Sequence, residues 1–153
     1  MRAVDATLEG LKRAGIDAVF GIPGGPVIPL FDALHDEPAI RTYLTRHEQG
    51  AGHAAQGYAK VTGRAAVCTA TSGPGATNLV TAIADAHMDS VPLLAITGQV
   101  FSTSMGTDAF QEAPVFNIMA SCAKHVFLLT DEHKVEATMR SAFELARSGR
   151  PGP

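Results

Sequence analysis

Short apolar runs alternate along this chain with segments whose apolar residues recur every three or four positions, the pattern of parallel strands joined by helices. The first segment is helical, with Val4, Leu8 and Leu11 on one face and Gly15 closing it. "DAVFGI" (17–22) reads as a strand ending at the breaker "PGGP". "VIPLFDALH" (27–35) reads as a helix that accommodates Pro29 only in its first turn. "IRTYLT" (40–45) predicts a strand, and residues 48–61 a helix built largely from Gly and Ala. "RAAVCTA" (64–70) predicts another strand and "TSGPG" (71–75) a tight turn. "ATNLVTAIADAHM" (76–88) predicts one helix with an apolar stripe at Leu79, Ile83 and Ala86. "PLLAITG" (92–98) is apolar throughout, as a strand buried on both faces is. "KHVFLL" (124–129) predicts a last strand, and residues 131–149 a helix with Asp131 near its start and Gly149 at its end. The stretch 99–115 is longer than a plain connection requires and is a candidate functional loop. The expected fold class is α/β, an open parallel sheet covered by helices on both faces.

Composition mainly removes alternatives. A chain of 153 residues suffices for one α/β domain with a real core. Its 46% hydrophobic and 18% charged content is that of an ordinary globular protein. A formal net charge of −3 with scattered basic residues gives no footprint for nucleic acid. No apolar run approaches the ~18 residues of a membrane span, and the N-terminus reads as a helix start. Cys68 and Cys122 are far apart and flanked by apolar or small residues, which suits reduced, buried thiols in a cytoplasmic protein. "GRPGP" turns out of the final helix as a further element would begin, so the chain is expected to be one domain of a longer protein.

Four glycine-containing turns follow strands: "GIPGGP", "RHEQG", "TSGPGATN" and "TGQV". Ligands of open parallel sheets sit beyond the carboxyl ends of the strands, and glycine lets backbone approach them closely. "TSGPGATN" could hold an anion at a helix N-terminus, yet it has neither the P-loop lysine nor the dinucleotide fingerprint. Glu48 is a lone carboxylate opening a helix that carries Gly50, Gly52 and Gly57. A glutamate there also suits the helix dipole, but each helical glycine costs on the order of 1 kcal/mol relative to alanine. The glycines therefore imply close approach of a backbone or cofactor. His53, His87 and His125 lack metal-ligand spacing and read as packing or surface residues, so no metal site is expected within the chain. Phe101, Met105 and Phe110 would suit an apolar lid.

"VFGIPGG", "RHEQGAGHAAQGYAK", "TSGPGATNLVTAIADAHMDSVPLLAITGQV" and "GTDAFQE" occur in the order and spacing of one family. The chain resembles, over nearly its whole length, the N-terminal domain of acetohydroxyacid (acetolactate) synthase catalytic subunits. That resemblance implies the pyrimidine-binding domain of a thiamine-diphosphate enzyme, spanning 1–153 and followed by central and C-terminal domains. It implies decarboxylation of pyruvate and carboligation to a second 2-oxoacid, in branched-chain amino acid biosynthesis. By the same resemblance Glu48 is the catalytic carboxyl that hydrogen-bonds the pyrimidine ring. Walled by Gly and Ala backbone, it is expected to be desolvated, with its proton affinity raised. Ile22, Pro23, Gly24, Gly25, Ser72, Pro74 and Asn78 would border the cofactor, Phe110 and Gln111 the substrate, and Arg150 a structural FAD. Mg²⁺ and the diphosphate would be held by a C-terminal domain with a G-D-G…N-N signature, which this chain lacks. A homodimer or tetramer formed through this domain and a regulatory small subunit are the implied partners, and the domain alone would be inactive. Ile22, Pro26 and Pro114 depart from the residues most frequent in the family. A related thiamine-diphosphate decarboxylase or carboligase, or a non-catalytic orphan domain, are the alternative readings.

Overall fold

The computed structural model describes residues 2–153. Four parallel strands form one sheet in the order β2-β1-β3-β4. These are β1 (Ala18–Gly21), β2 (Arg41–Leu44), β3 (Ala66–Ala70) and β4 (Leu93–Thr97). The helices are α1 (Ala3–Arg13), α2 (Ile28–His35), α3 (Glu48–Thr62), α4 (Pro74–Thr77), α5 (Val80–Met88), α6 (Val115–Ala120) and α7 (Val135–Arg147). β1 and β3 lie at the centre and are buried at every position, because alternate side chains enter two different cores. Phe20, Ala66, Cys68 and Ala70 meet Ala51, Ala55, Leu79, Ile83 and Met119 on one face. Val19 and Val67 meet Leu8, Leu11, Leu30, Leu34, Met139 and Phe143 on the other. The expected α/β fold with helices on both faces is the one observed.

Three expectations need correction. β4 is an edge strand, and beyond Leu93 it is only half-buried, so apolar composition overstated its enclosure. Residues 124–129 form no strand. At their start Lys124 N–H donates to the Pro153 carbonyl at 3.0 Å rather than to a strand of the sheet. An apolar groove of about 220 Å³, lined by Leu94, Ile96, Val126, Phe127 and Leu128 among others, runs between this segment and β4. Thirdly, the helix expected over 76–88 is two helices separated at Asn78 and Leu79. α6 is a further helix that the sequence pattern left unassigned.

The three glycines of α3 turn out to differ. A Cβ on Gly52 would lie 2.5 Å from the Ala82 Cβ and 3.4 Å from Leu79 Cδ2, so Gly52 sets the approach of α3 to α5. Gly50 and Gly57 are exposed, with nothing within 4 Å of such a Cβ. Gly52→Ala should therefore destabilise, the ~1–3 kcal/mol of overpacking outweighing alanine's helix propensity. Gly57→Ala should stabilise by up to ~1 kcal/mol. Urea denaturation of the two variants should move in opposite directions; a Gly52→Ala chain as stable as wild type would mean the helices separate at no cost.

Cys68 is fully buried and its thiol is pushed up to about 12 by desolvation; Cys122 is half-buried. Both are free, as expected, although Cys122 is less enclosed than its neighbours suggested.

Candidate functional site

The turns that leave the carboxyl ends of the strands touch one another, and Thr71 is where two of them meet. It follows β3 directly, and its side chain fills the space left by two glycines. A Cβ on Gly24 would lie 2.6 Å from the Thr71 Cβ, and one on Gly75 would lie 2.6 Å from its Cγ2. The turn after β4 closes on the same group, since a Cβ on Gly98 would meet Pro26 Cβ at 2.6 Å and Ser72 N at 3.1 Å. Ser72 is 1% exposed, and neither its hydroxyl nor that of Thr71 has a hydrogen-bond partner. Two orphaned hydroxyls at one strand end are unusual, because buried polar groups are otherwise paired. In the sequence the only mark of Thr71 is its place between two glycine turns.

Glu48 stands at the same edge, after β2. His47 caps the helix it opens, its Nδ1 accepting from Gln49 N–H at 3.1 Å, and Thr45 Oγ1 donates to the His47 carbonyl at 3.0 Å. The turn thus presents Glu48 as the first residue of α3. Its Oε2 accepts from Asn78 Nδ2 at 2.9 Å, while Oε1 lies 3.3 Å from where a Gly75 Cβ would be. Asn78 ends α4, its side chain reaching across to Glu48, and the backbone tightens there, Leu79 N–H donating to the Ala76 carbonyl three residues back at 3.0 Å before α5 begins. The neighbours expected of Glu48, Gly and Ala backbone, are found in part. Gly75 adjoins it, but the side chain is half-buried, so its enclosure within this chain is incomplete. Helix α4 has only four residues, too short for the helix-end anion site considered for "TSGPGATN".

The candidate cofactor turn Ile22, Pro23, Gly24, Gly25 lies on this edge, Ile22 and Gly24 half-buried, Pro23 and Gly25 exposed. Pro74 is exposed at the start of α4. The 99–115 stretch reaches the site through backbone: a Cβ on Gly73 would lie 2.2 Å from the Gln111 carbonyl oxygen. Phe110 and Phe101 are 89% and 85% exposed, so neither packs as a lid within this chain. Arg150 is not brought to this group. Its Nε donates to Ser90 Oγ at 2.8 Å, and its Nη2 to the carbonyls of His87 and Met88 at 3.0 and 2.9 Å, closing the end of α5. His125 packs edge-on against Phe127, and His53 approaches Gln56 and Asp85. Among the described residues no group of three metal-ligating side chains occurs, and no helix is long and apolar enough to cross a membrane.

A parallel α/β sheet whose strand-end turns gather a carboxylate, unpaired hydroxyls and close glycine contacts defines a ligand-binding domain of the open-sheet class. The chain belongs to the thiamine pyrophosphate enzymes: the family model for their N-terminal TPP binding domain matches residues 1–121. It is 56% identical over its whole length to the acetolactate synthase large subunit of Corynebacterium glutamicum, covering 24% of that protein. It is 50% identical over its whole length to the acetolactate synthase isozyme 2 large subunit of Escherichia coli K12, covering 28%. Over 99% of the chain it is 51% identical to the chloroplastic acetolactate synthase 1 of rice, covering 24%. The chain thus spans about a quarter of the length of these curated relatives.

Proposed function

We propose that the chain is the pyrimidine-binding N-terminal domain of an acetolactate synthase, which decarboxylates pyruvate and joins the product to a second 2-oxoacid in branched-chain amino acid biosynthesis. The observation that carries this reading is the Asn78–Glu48 hydrogen bond, 2.9 Å long, at the sheet edge where the glycine turns converge. It fixes a carboxylate whose other oxygen is turned to Gly75, where no side chain intervenes. The relatives that match this chain over its whole length, though it spans only about a quarter of theirs, are named acetolactate synthase, which supports the choice of reaction.

The residues present fit the aminopyrimidine half of thiamine diphosphate. Glu48 is a carboxyl for a ring nitrogen, the Ser72 and Thr71 hydroxyls lack partners, and Gly24 and Gly75 bring backbone close to Thr71. When bound, the cofactor supplies the electron sink for decarboxylation and carbon–carbon bond formation. Glu48 holds a proton at its free oxygen and exchanges it with the ring, and Asn78 orients that carboxyl. Ile22 to Gly25, Ser72 and Pro74 border the ring, and Phe110 and Gln111 face the substrate. The diphosphate and Mg²⁺ are left to a C-terminal domain of a longer protein. Arg150 alone does not make a flavin site, and FAD would rest mainly on residues outside this chain. The exposed face of α3 at Gly50, His53 and Gly57 suits a homodimer or tetramer contact, and a regulatory small subunit and a cytoplasmic location complete the reading. The 153 residues alone are catalytically silent in it.

The test is to purify the full-length protein that contains this chain and assay it with pyruvate, thiamine diphosphate and Mg²⁺. Acetolactate is the expected product. Acetaldehyde without acetolactate would reassign the protein to the decarboxylases, and no turnover of any 2-oxoacid would overturn the reading.

A further inference from the structure

The segment 106–112 is a loop that holds itself closed. Gly106, Asp108 and Gln111 all have positive φ, at 79°, 56° and 59°, and two of the three are not glycine. A turn with this much left-handed backbone needs something to hold it. Both oxygens of Glu112 do so: Oε1 accepts from Gly106 N–H at 2.5 Å and Oε2 from Ala109 N–H at 3.0 Å. The Glu112 N–H closes the same turn onto the Ala109 carbonyl at 2.9 Å. Those amides also hold the Glu112 carboxyl below the usual carboxylate range, so the clasp carries its full charge near neutral pH.

The closed loop is seated on the candidate site through its backbone at Gln111. The Gln111 carbonyl lies where a side chain on Gly73 would be, two residues from Gly75 and its contact with Glu48. Phe110, one residue earlier, is 89% exposed and is held by no packing of its own. Its position is therefore set by the turn that carries it.

We infer that Glu112 is a positioning residue, whose carboxylate builds the 106–112 turn and through it fixes Phe110 and Gln111 beside the edge that carries Glu48. This rests on the reading of Phe110 and Gln111 as substrate-side residues. Glu112 acts through the loop and touches neither cofactor nor substrate.

The experiment uses the full-length holoenzyme with Glu112→Ala and Glu112→Gln. Hydrogen exchange of peptides covering 106–112, without substrate, reads the clasp directly. Losing two charge-assisted bonds should speed exchange there at least ~10-fold in Glu112→Ala, and less in Glu112→Gln, which retains one acceptor. Steady-state kinetics should show the 2-oxoacid KM raised about 10-fold in the alanine variant and partly rescued in the glutamine variant. Half-saturation by thiamine diphosphate should stay within about twofold, because the ring contacts lie on other turns. Unchanged exchange in an active Glu112→Ala enzyme would overturn the inference alone. So would faster exchange with an unchanged KM, or a KM loss matched by an equal loss of cofactor affinity. A wild-type holoenzyme silent on every 2-oxoacid would overturn the functional reading, and the substrate side of this inference with it.

Discussion

Glu48→Gln in the full-length holoenzyme should lower turnover of 2-oxoacid at least ~100-fold, the scale of a lost acid–base group. The substitution is nearly isosteric, and a glutamine oxygen can still accept from Asn78 Nδ2, so the contact that links the second and third turns persists. Stability should change by no more than ~0.5 kcal/mol, since the side chain is half-buried and no core contact is removed. What glutamine loses is the proton. An amide cannot take one from a ring nitrogen and return it. Glu48→Asp tests the other requirement, reach, because it withdraws the carboxyl by one methylene, and a misplacement of about 1 Å can cost ~100-fold. Thermal unfolding of each variant beside its turnover separates chemistry from folding. Full activity in a folded Glu48→Gln enzyme would return Glu48 to the ordinary role of an acidic residue in a first helical turn.

Much of this arrangement is legible in the sequence, and the failures have identifiable causes. β1 and β3 could be read because both of their faces are buried, which leaves short apolar runs broken only by Thr69. The same rule misled for residues 124–129. Apolar composition reports a preference for burial and extension, whereas a strand also requires a neighbouring backbone in register, and here the backbone of Lys124 is bonded to Pro153. The break between α4 and α5 was hidden because it spans only two positions, 78 and 79, where Leu79 N–H bonds the carbonyl three residues back, and the apolar stripe runs on through it. α6 is six residues behind Pro114, too short for a periodic pattern to register. The candidate site was legible as a set of turns because glycines mark close approach. Which glycine serves which neighbour was not: Gly52 faces Ala82 and Gly75 faces Thr71 and Glu48, while Gly50 and Gly57 face open space. Sequence also gave no hint that Arg150 closes α5, a contact made across sixty positions.

Gly73→Ala should be among the most destabilising single-methyl additions available to this chain, by roughly 2–5 kcal/mol. Two separate costs combine. Gly73 has φ 52° and ψ −114°, a region that residues with a Cβ rarely enter. The added methyl would also sit 2.2 Å from the Gln111 oxygen, 2.6 Å from its carbonyl carbon and 3.1 Å from its Cα. Those are backbone atoms of a turn clasped by Glu112, so no rotamer change relieves the clash, and the 106–112 segment must lift from the "TSGPG" turn. Gly15→Ala is the control, because Gly15 has φ 75° with nothing within 4 Å and so carries the backbone cost alone, about 1–2 kcal/mol. Urea denaturation should rank Gly73→Ala well below Gly15→Ala, and hydrogen exchange at 106–112 should rise only in the former. Equal stability of the two variants would mean that the loop rests on Gly73 without being seated there, and its hold on Phe110 and Gln111 would then have to come from the Glu112 clasp alone.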